Sequence, residues 1–365
     1  MSGATTACPP GSTLGILGAG QLGRMMALAA APLGFRVRVF DPNGGPAGEV
    51  CAGLHQAPWS DEAALAAFAE ACDVITYEFE NVPATAASFL SKLRPLRPGP
   101  HALATCQHRA VEKRFLGDVA GVPTAPWRAA TTAAEVASAM REIGGPCIVK
   151  TARFGYDGKG QVRVDAVEDA DAAFARLSKG ASSLELVVEG LVPFVAEASV
   201  VVARGVDGAV APFDLVQNEH ENHILRRTVA PAPLDVAIHE RARELAVRIA
   251  TTLEYVGVLG IELFVLADGG LVVNELAPRP HNSGHWTMDA CVTSQFEQAV
   301  RAAMGLPLGD PTRRCDAEMR NLLGDEALDL DVWLRDPAVK IHLYGKEQAR
   351  PGRKMGHVNR LRLRG

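Results

Sequence analysis

The stretch GIELFVLADGGLVVNE, residues 260–275, ends on a carboxylate and holds another near its start. Apolar residues flanking Asp268-Gly269 read as a β-hairpin closed by a two-residue turn. Pairing outward from Ala267 and Gly270 sets Glu262 opposite Glu275, with Cβ atoms about 4.5–5.5 Å apart. The pair would share a face with Phe264, Leu266, Leu271 and Val273. Like charges so placed repel unless something neutralises them. Oxygen ligands suit Mg²⁺ or Mn²⁺, and Mg²⁺ fills its shell with waters and substrate phosphates. A three-residue turn would shift this register by one, and a Glu facing solvent at a sheet edge is the plainer alternative.

Two glycine clusters compete for a nucleotide. Residues 150–161, KTARFGYDGKGQ, set Gly155, Gly158 and Gly160 with Lys150 and Lys159 between two strand-like runs. No P-loop pattern is present and no helix follows. Glycines that let N–H groups crowd an anion, with lysines beside them, read as a flap over nucleotide phosphates. A plain hairpin turn would need fewer glycines. Nearer the start, GILGAGQLG (15–23) forms a GxGxxG from Gly18, Gly20 and Gly23, followed by an Ala-rich helix and a strand ending in Asp41. That order suits a dinucleotide site, but equally a tight turn whose N–H groups meet another anion or a ligand's edge. Flap and carboxylate pair together favour a nucleoside triphosphate, which leaves the first glycines to another ligand.

These groups need a frame. From Leu14 to about Pro100 strands and helices alternate (14–17, 35–40 and 73–77 as strands; 60–71 as a helix), the rhythm of a doubly wound parallel sheet. RPLRPGP (94–100) punctuates its end. A helical stretch over 102–120 leads through GVPTAPW to strands at 147–151, 161–164, 185–189, 197–204 and 208–216, a helix at 236–253 and the hairpin. The fold class is α/β (α+β), in three units: 1–108, 109–305 with a lid at about 126–205, and 306–365. With 365 residues, two or three domains are expected. A net charge of −5 gives no reason to expect nucleic-acid or membrane binding. The first residues lack a basic start and an apolar core, so the expected compartment is the cytoplasm. Seven scattered cysteines without a CxxC pair read as reduced, mostly packing residues.

The order GxGQLGRM, YEFENVP (77–83), KTARFGYDGKGQ, VVEGLVPF (187–194), VNELAPRPHNSGHWT (273–287) and YGKEQARPGRKMGHV (344–358) resembles the 5-(carboxyamino)imidazole ribonucleotide synthetase family, ATP-grasp enzymes of purine biosynthesis. The likeness runs from about Leu14 to Val358. It implies an ATP-grasp fold behind a Rossmann-like domain, with a small C-terminal element. It also implies a reaction: ATP phosphorylates bicarbonate, and the carboxyphosphate carboxylates the amine of aminoimidazole ribonucleotide. Residue by residue, it implies ATP contacts at Arg109, Lys150, Gly155, Tyr156, Asp157, Gly158, Lys159, Gly160, Gln161, Glu197, Asn274 and Glu275, and a less secure one at His220. Adenine would meet the backbone of Glu189, Gly190, Leu191 and Val192. Mg²⁺ would sit on Glu262 and Glu275.

Bicarbonate, a small flat anion, suits a planar guanidinium and neutral donors, the set that Arg279, His281 and Asn282 supply. Lys346 and Arg353 match the family's contacts to the ribonucleotide phosphate, with Tyr156 and Lys159 reaching over from the flap. Gly20, Gln21 and Leu22 would approach the ribonucleotide, and Glu78 or Glu80 its imidazole or ribose. The implied partners are small molecules only, with a homodimer as the assembly. Rival readings are a formate-dependent glycinamide ribonucleotide transformylase, against which PRPHNSGHW and RPGRKMGH speak, and an NAD-dependent oxidoreductase, which leaves the flap and the Glu pair without a task. A non-catalytic regulator would need damage at Lys150, Glu262 or Glu275.

Overall fold

Three sheets meet around one cleft. The structure, a computed structural model, describes residues 7–155 and 158–362. The first sheet joins β1 (Thr13–Leu17), β2 (Arg36–Phe40), β3 (Gly53–His55) and β4 (Val74–Tyr77) in the order β3-β2-β1-β4, all parallel. Strands β1 and β4 are buried throughout, as continuous apolar runs in a parallel sheet should be. Helix α1 (Gln21–Ala30) follows the glycine turn; α2 (Glu62–Glu70) and α3 (Ala84–Ser91) also pack in this unit. Met26 and Ala30 of α1 share a core with Val300 and Met304 of the Gln295–Met304 helix, which ties this unit to the body.

The expected helix over 102–120 is three pieces: α4 (Pro100–Cys106), α5 (Arg109–Arg114) and a wide turn, Phe115–Val119. The break before Arg109 aims α5 at the large sheet, a fact used below. A lid follows, built on β5 (Trp127–Ala130), β6 (Cys147–Thr151), β7 (Gln161–Val164) and β8 (Leu186–Gly190) in the order β5-β8-β6-β7. Helices α6 (Ala133–Ile143) and α7 (Ala170–Ser178) cover it and give it a core of its own. The lid segment expected at about 126–205 is shorter in its sheet, because β9 (Phe194–Arg204) pairs with the body.

The body is a nine-stranded antiparallel sheet. It comprises β9, β10 (Val210–Pro212), β11 (Val216–Glu221), β12 (Ile224–Ala230), β13 (Gly257–Leu266), β14 (Leu271–Ala277), β15 (Asp316–Leu323), β16 (Val339–Leu343) and β17 (Lys354–Arg362). A single strand at 208–216 is not formed. Phe213–Leu215 leaves the ladder between β10 and β11, with Phe213 and Leu215 buried instead in two different cores. Helix α8 (Val236–Thr252) packs Ala242, Ala246 and Ile249 on one face of the sheet. Strands β15 to β17 extend the sheet through β12, so the C-terminal element shares it with the body. Among the described residues no disulfide joins any of the seven cysteines. Among the described residues no helix is long and apolar enough to cross a membrane.

Candidate active site

A cavity of about 580 Å³ opens where the three sheets converge. Its wall takes Gly20, Gln21, Leu22, Glu78 and Glu80 from the first unit, and Lys150, Gly155, Gly158, Lys159, Gln161 and the 189–192 segment from the lid. Arg109, Glu197, His220, Glu262, Asn274, Glu275, Arg279, His281 and Asn282 complete it from the body and α5. Residues chosen from sequence at distant positions thus share one wall. Tyr156 and Asp157 lie outside the described residues. Another depression, about 600 Å³, lies on α8 alone, lined by residues such as Glu240 and Arg248, and contains none of the candidates.

Glycine in the first turn serves an internal contact. Glu78, at the end of β4, turns its carboxylate back so that Gly20 N–H donates to Oε1 and Gly23 N–H donates to Oε2, the latter at 2.6 Å. Gly18 has φ +103°, and a Cβ there would lie 2.5 Å from Glu78 Cγ. Only glycine allows that approach. Asp41 Oδ2 accepts from Ala19 N–H at 3.2 Å, so it too braces the turn rather than awaiting a ribose. Burial raises the Glu78 carboxyl above the usual range, against the two N–H donors. Glu80, also facing the cavity, ion-pairs with Arg279 through Nε and, at 3.2 Å, through Nη2. Burial raises Glu80, but the Arg279 charge prevails and holds it at about 2.

The hairpin carries the carboxylate pair, but not for the reason expected. Leu266 and Gly270 close a three-residue turn, with Leu266 N–H donating to Gly270 O at 2.9 Å and Gly269 at φ +79°. That shifts the pairing by one, to Val265↔Leu271 and Leu263↔Val273. Asn274 then bulges out of the ladder, and the register returns to Glu262↔Glu275. The two shifts cancel. As a result Leu271 and Val273 turn away from the pair into the core with Leu263 and Val265, contrary to the shared face expected for them.

Helix α5 fastens this bulged strand residue by residue. Arg109 Nη1 donates to Glu275 Oε2 at 2.8 Å, Lys113 Nζ to Asn274 O at 3.1 Å, and Leu276 N–H to Glu112 Oε1 at 2.7 Å. Lys113 also reaches Glu189 Oε2 at 3.2 Å, the oxygen that Lys150 of the lid meets at 3.2 Å. Glu189 is buried, which raises its pKa, but Lys150, Lys113 and Arg109 hold it at about 2. Lys150 is lowered, chiefly by burial, against the pull of Glu189. Glu112 is pushed up to about 8 by burial and by Glu275. Glu112 and Lys113 were not singled out from sequence, although they lie three and four residues after Arg109, on the same helical face.

Glu197 accepts from His220 Nδ1 at 2.9 Å; burial lowers the His220 pKa, but Glu197 and Glu262 together raise it above the usual value. Beside them the rings of Phe194 and Phe264 stack at 4.6 Å, a platform at the mouth of the hinge that sequence reasoning missed. His281 Nε2 lies 3.2 Å from Glu262 Oε1. Burial raises Glu262, yet His281 and His220 keep it low. Both polar side-chain atoms of Asn282, Oδ1 and Nδ2, are buried without a partner, and so is Asn274 Oδ1. Such groups are costly unless a ligand or water meets them.

Three expected residues do not line the cavity. Gly160, at φ +73°, makes the flap's return, its carbonyl accepting from Thr151 N–H at 2.8 Å. Lys346 donates to Lys354 O at 2.6 Å and sits 5.5 Å from the Tyr344 ring centroid, with its pKa lowered to about 8 by burial and by Arg353. Arg353 donates to Gln348 O at 2.8 Å. The tail residue on the cavity wall is Lys354, which sequence reasoning passed over.

Residues 116–296 match the ATP-grasp domain, residues 12–107 the ribonucleotide synthetase preATP-grasp domain, and residues 317–363 the phosphoribosylaminoimidazole carboxylase C-terminal domain. The chain is 47% identical over 362 residues to the N5-carboxyaminoimidazole ribonucleotide synthase of Brucella melitensis, covering 98% of this chain and 99% of that one. A crystal structure of an ADP complex of an N5-carboxyaminoimidazole ribonucleotide synthetase superposes with a TM-score of 0.93 at 41% identity, over 98% of this chain and 94% of that one. The enzyme from Aspergillus clavatus, solved with ADP and 5-aminoimidazole ribonucleotide, gives 0.89 at 32% identity, over 97% and 94%. With its three-sheet architecture and this likeness along nearly its whole length, the chain belongs to the N5-carboxyaminoimidazole ribonucleotide synthase family of ATP-grasp enzymes.

Proposed function

We propose that the protein uses ATP and bicarbonate to carboxylate the exocyclic amine of 5-aminoimidazole ribonucleotide, releasing ADP and phosphate, in purine biosynthesis. The observation that carries this reading is the convergence, in one cavity, of a lid lysine, a cross-strand carboxylate pair and an unpartnered Asn282 amide.

Adenine lies at the 189–192 hinge beside the Phe194–Phe264 platform, its ribose hydroxyls on Glu197. Lys150, Arg109 and the flap residues meet the phosphates. Phosphoryl transfer asks for positioning and charge neutralisation more than for covalent help. The fit to Mg²⁺ is good: Glu262 and Glu275 pair across the ladder and Asn274 Oδ1 has no partner, an all-oxygen set. Among the described residues no group of three or more His, Cys, Asp or Glu forms a metal cage, and two carboxylates leave room for waters and phosphates. When bound, Mg²⁺ would neutralise charge on the phosphates.

Arg279, His281 and Asn282 hold bicarbonate, whose oxygen attacks the γ-phosphorus as ADP leaves. The amine nitrogen then attacks the carboxyphosphate carbon; phosphate leaves, and the nitrogen gives up a proton. Glu78 and Glu80 face the ribonucleotide, and Lys354, with Lys346 and Arg353 behind it, meets the ribonucleotide phosphate. ADP release should require bicarbonate and the ribonucleotide, measured with ATP and Mg²⁺ and purified protein. Release only with glycinamide ribonucleotide and formate would install the transformylase reading; release with neither would leave the acceptor open and call for an NAD titration. The enzyme works as a cytoplasmic homodimer in this reading, and sedimentation as a monomer at working concentration would refute the assembly.

A further inference from the structure

Behind His281, away from the cavity, runs a row of buried polar side chains that the proposed reaction does not use. Thr228 Oγ1 on β12 donates to Asn218 Oδ1 on β11 at 3.0 Å, and Asn218 Nδ2 donates to Ser199 Oγ on β9 at 2.9 Å. Ser199 Oγ meets Ser283 Oγ at 2.6 Å, and Ser283 Oγ meets His281 Nδ1 at 2.7 Å. Thr228, Ser199 and Ser283 are wholly buried, and Asn218 is 5% exposed. Ser199 also stands directly opposite Glu262 in the β9–β13 ladder, so the row passes beside the carboxylate pair.

The row has one direction. Ser283 main-chain N–H points at His281 Nδ1 from 3.4 Å, and an N–H can only donate. Nδ1 is therefore the acceptor. The Ser283 hydroxyl must give its hydrogen to the ring, so Ser199 must donate to Ser283, Asn218 to Ser199 and Thr228 to Asn218. Reversing any one link would set two donors or two acceptors face to face in the interior, where an unmade hydrogen bond is costly. The ring hydrogen is left on Nε2, the nitrogen facing Glu262 and the cavity.

Resting on the proposed bicarbonate role of His281, we propose that Thr228, Asn218, Ser199 and Ser283 are positioning residues that lock His281 as the Nε2–H tautomer, a neutral donor for the carboxylating anion. A hydrogen on the other nitrogen would present a lone pair to an anion. The row thus selects an anionic ligand over a cationic one at this ring.

The test has two arms. Nitrogen-15 NMR of histidine-labelled enzyme without nucleotide, with the His281 signals identified by difference from His281→Asn, should show a bare Nδ1 and a protonated Nε2. Ser283→Ala should give a mixture of tautomers, and Ser283→Thr should restore the native one. A protonated Nδ1 in the native enzyme, or an unchanged ring in Ser283→Ala, would overturn the proposal. In the kinetic arm, Ser283→Ala and Ser199→Ala should raise KM for bicarbonate about tenfold while KM for ATP stays within about twofold. Equal rises in both would reduce the row to general packing and also overturn it. The NMR arm needs no turnover, so it decides the tautomer even if the carboxylation reading fails.

Discussion

Glu275→Gln should abolish measurable ADP release, a loss of about 10²–10³-fold or more, while the protein stays folded. Glutamine keeps the length of the side chain and still accepts from Arg109, the native 2.8 Å contact. The strand also remains fastened through Lys113 and Glu112, which hold the neighbouring backbone rather than the Glu275 carboxyl. What disappears is one of the two charges that face each other across the ladder. A coupled ADP assay across a Mg²⁺ titration, beside a thermal melt, checks both halves. Native turnover in the variant would remove Glu275 from the metal reading. A collapsed melt would make it a structural residue first.

Lys113→Met should cost about 3 kcal/mol, lowering the melting temperature by about 6–12 °C if the unit that melts together spans roughly 150–250 residues. The Lys113 side chain is 1% exposed and meets a Glu189 side chain that is 4% exposed. Methionine matches the stem but supplies no donor, so the Asn274 carbonyl loses this partner and Glu189 Oε2 loses one of its two lysines. Lys150 still reaches Glu189, which keeps the loss at the lower end of what breaking a buried pair costs. Because Lys113 spans the bulge and the lid strand, faster amide exchange should concentrate in residues 271–277 and 186–190. Melting within about 1 °C of the native protein, with unchanged exchange, would show that the lysine is dispensable.

The hairpin shows what a sequence can and cannot disclose. The opposition of Glu262 and Glu275 was legible from alternation and a turn signal, yet both the turn length and Asn274's place in the ladder were misread. Bulges leave no alternation error large enough to detect when a turn shifts the phase the other way. The strands 147–151 and 161–164 match the structure because short β-branched runs bounded by glycine have few alternatives. The helical stretch over 102–120 is helical, but its breaks, which depend on tertiary docking of α5 against β14, were not legible. Most candidate residues inside motifs reached the cavity, Gly160, Lys346 and Arg353 excepted, whereas Lys354 and Lys113 did not stand out, since a lysine in a basic tail or on a short helix looks like any solvated cation. Burial, invisible in sequence, is what distinguishes Lys113.

The carboxylate of Glu78, held by Gly20 and Gly23, inverts the polarity of the first turn. In a dinucleotide fold this corner offers bare N–H groups to a diphosphate. Here the anion is part of the chain itself, permanently at hand, and no dissolved phosphate can match the local concentration of a tethered group. The Glu78 carboxylate, rather than a set of bare N–H groups, is what this corner contributes to the cavity wall. A corner that elsewhere attracts negative charge now attracts hydrogen-bond donors, and a hydroxyl or an amine is the kind of group that will find it welcoming.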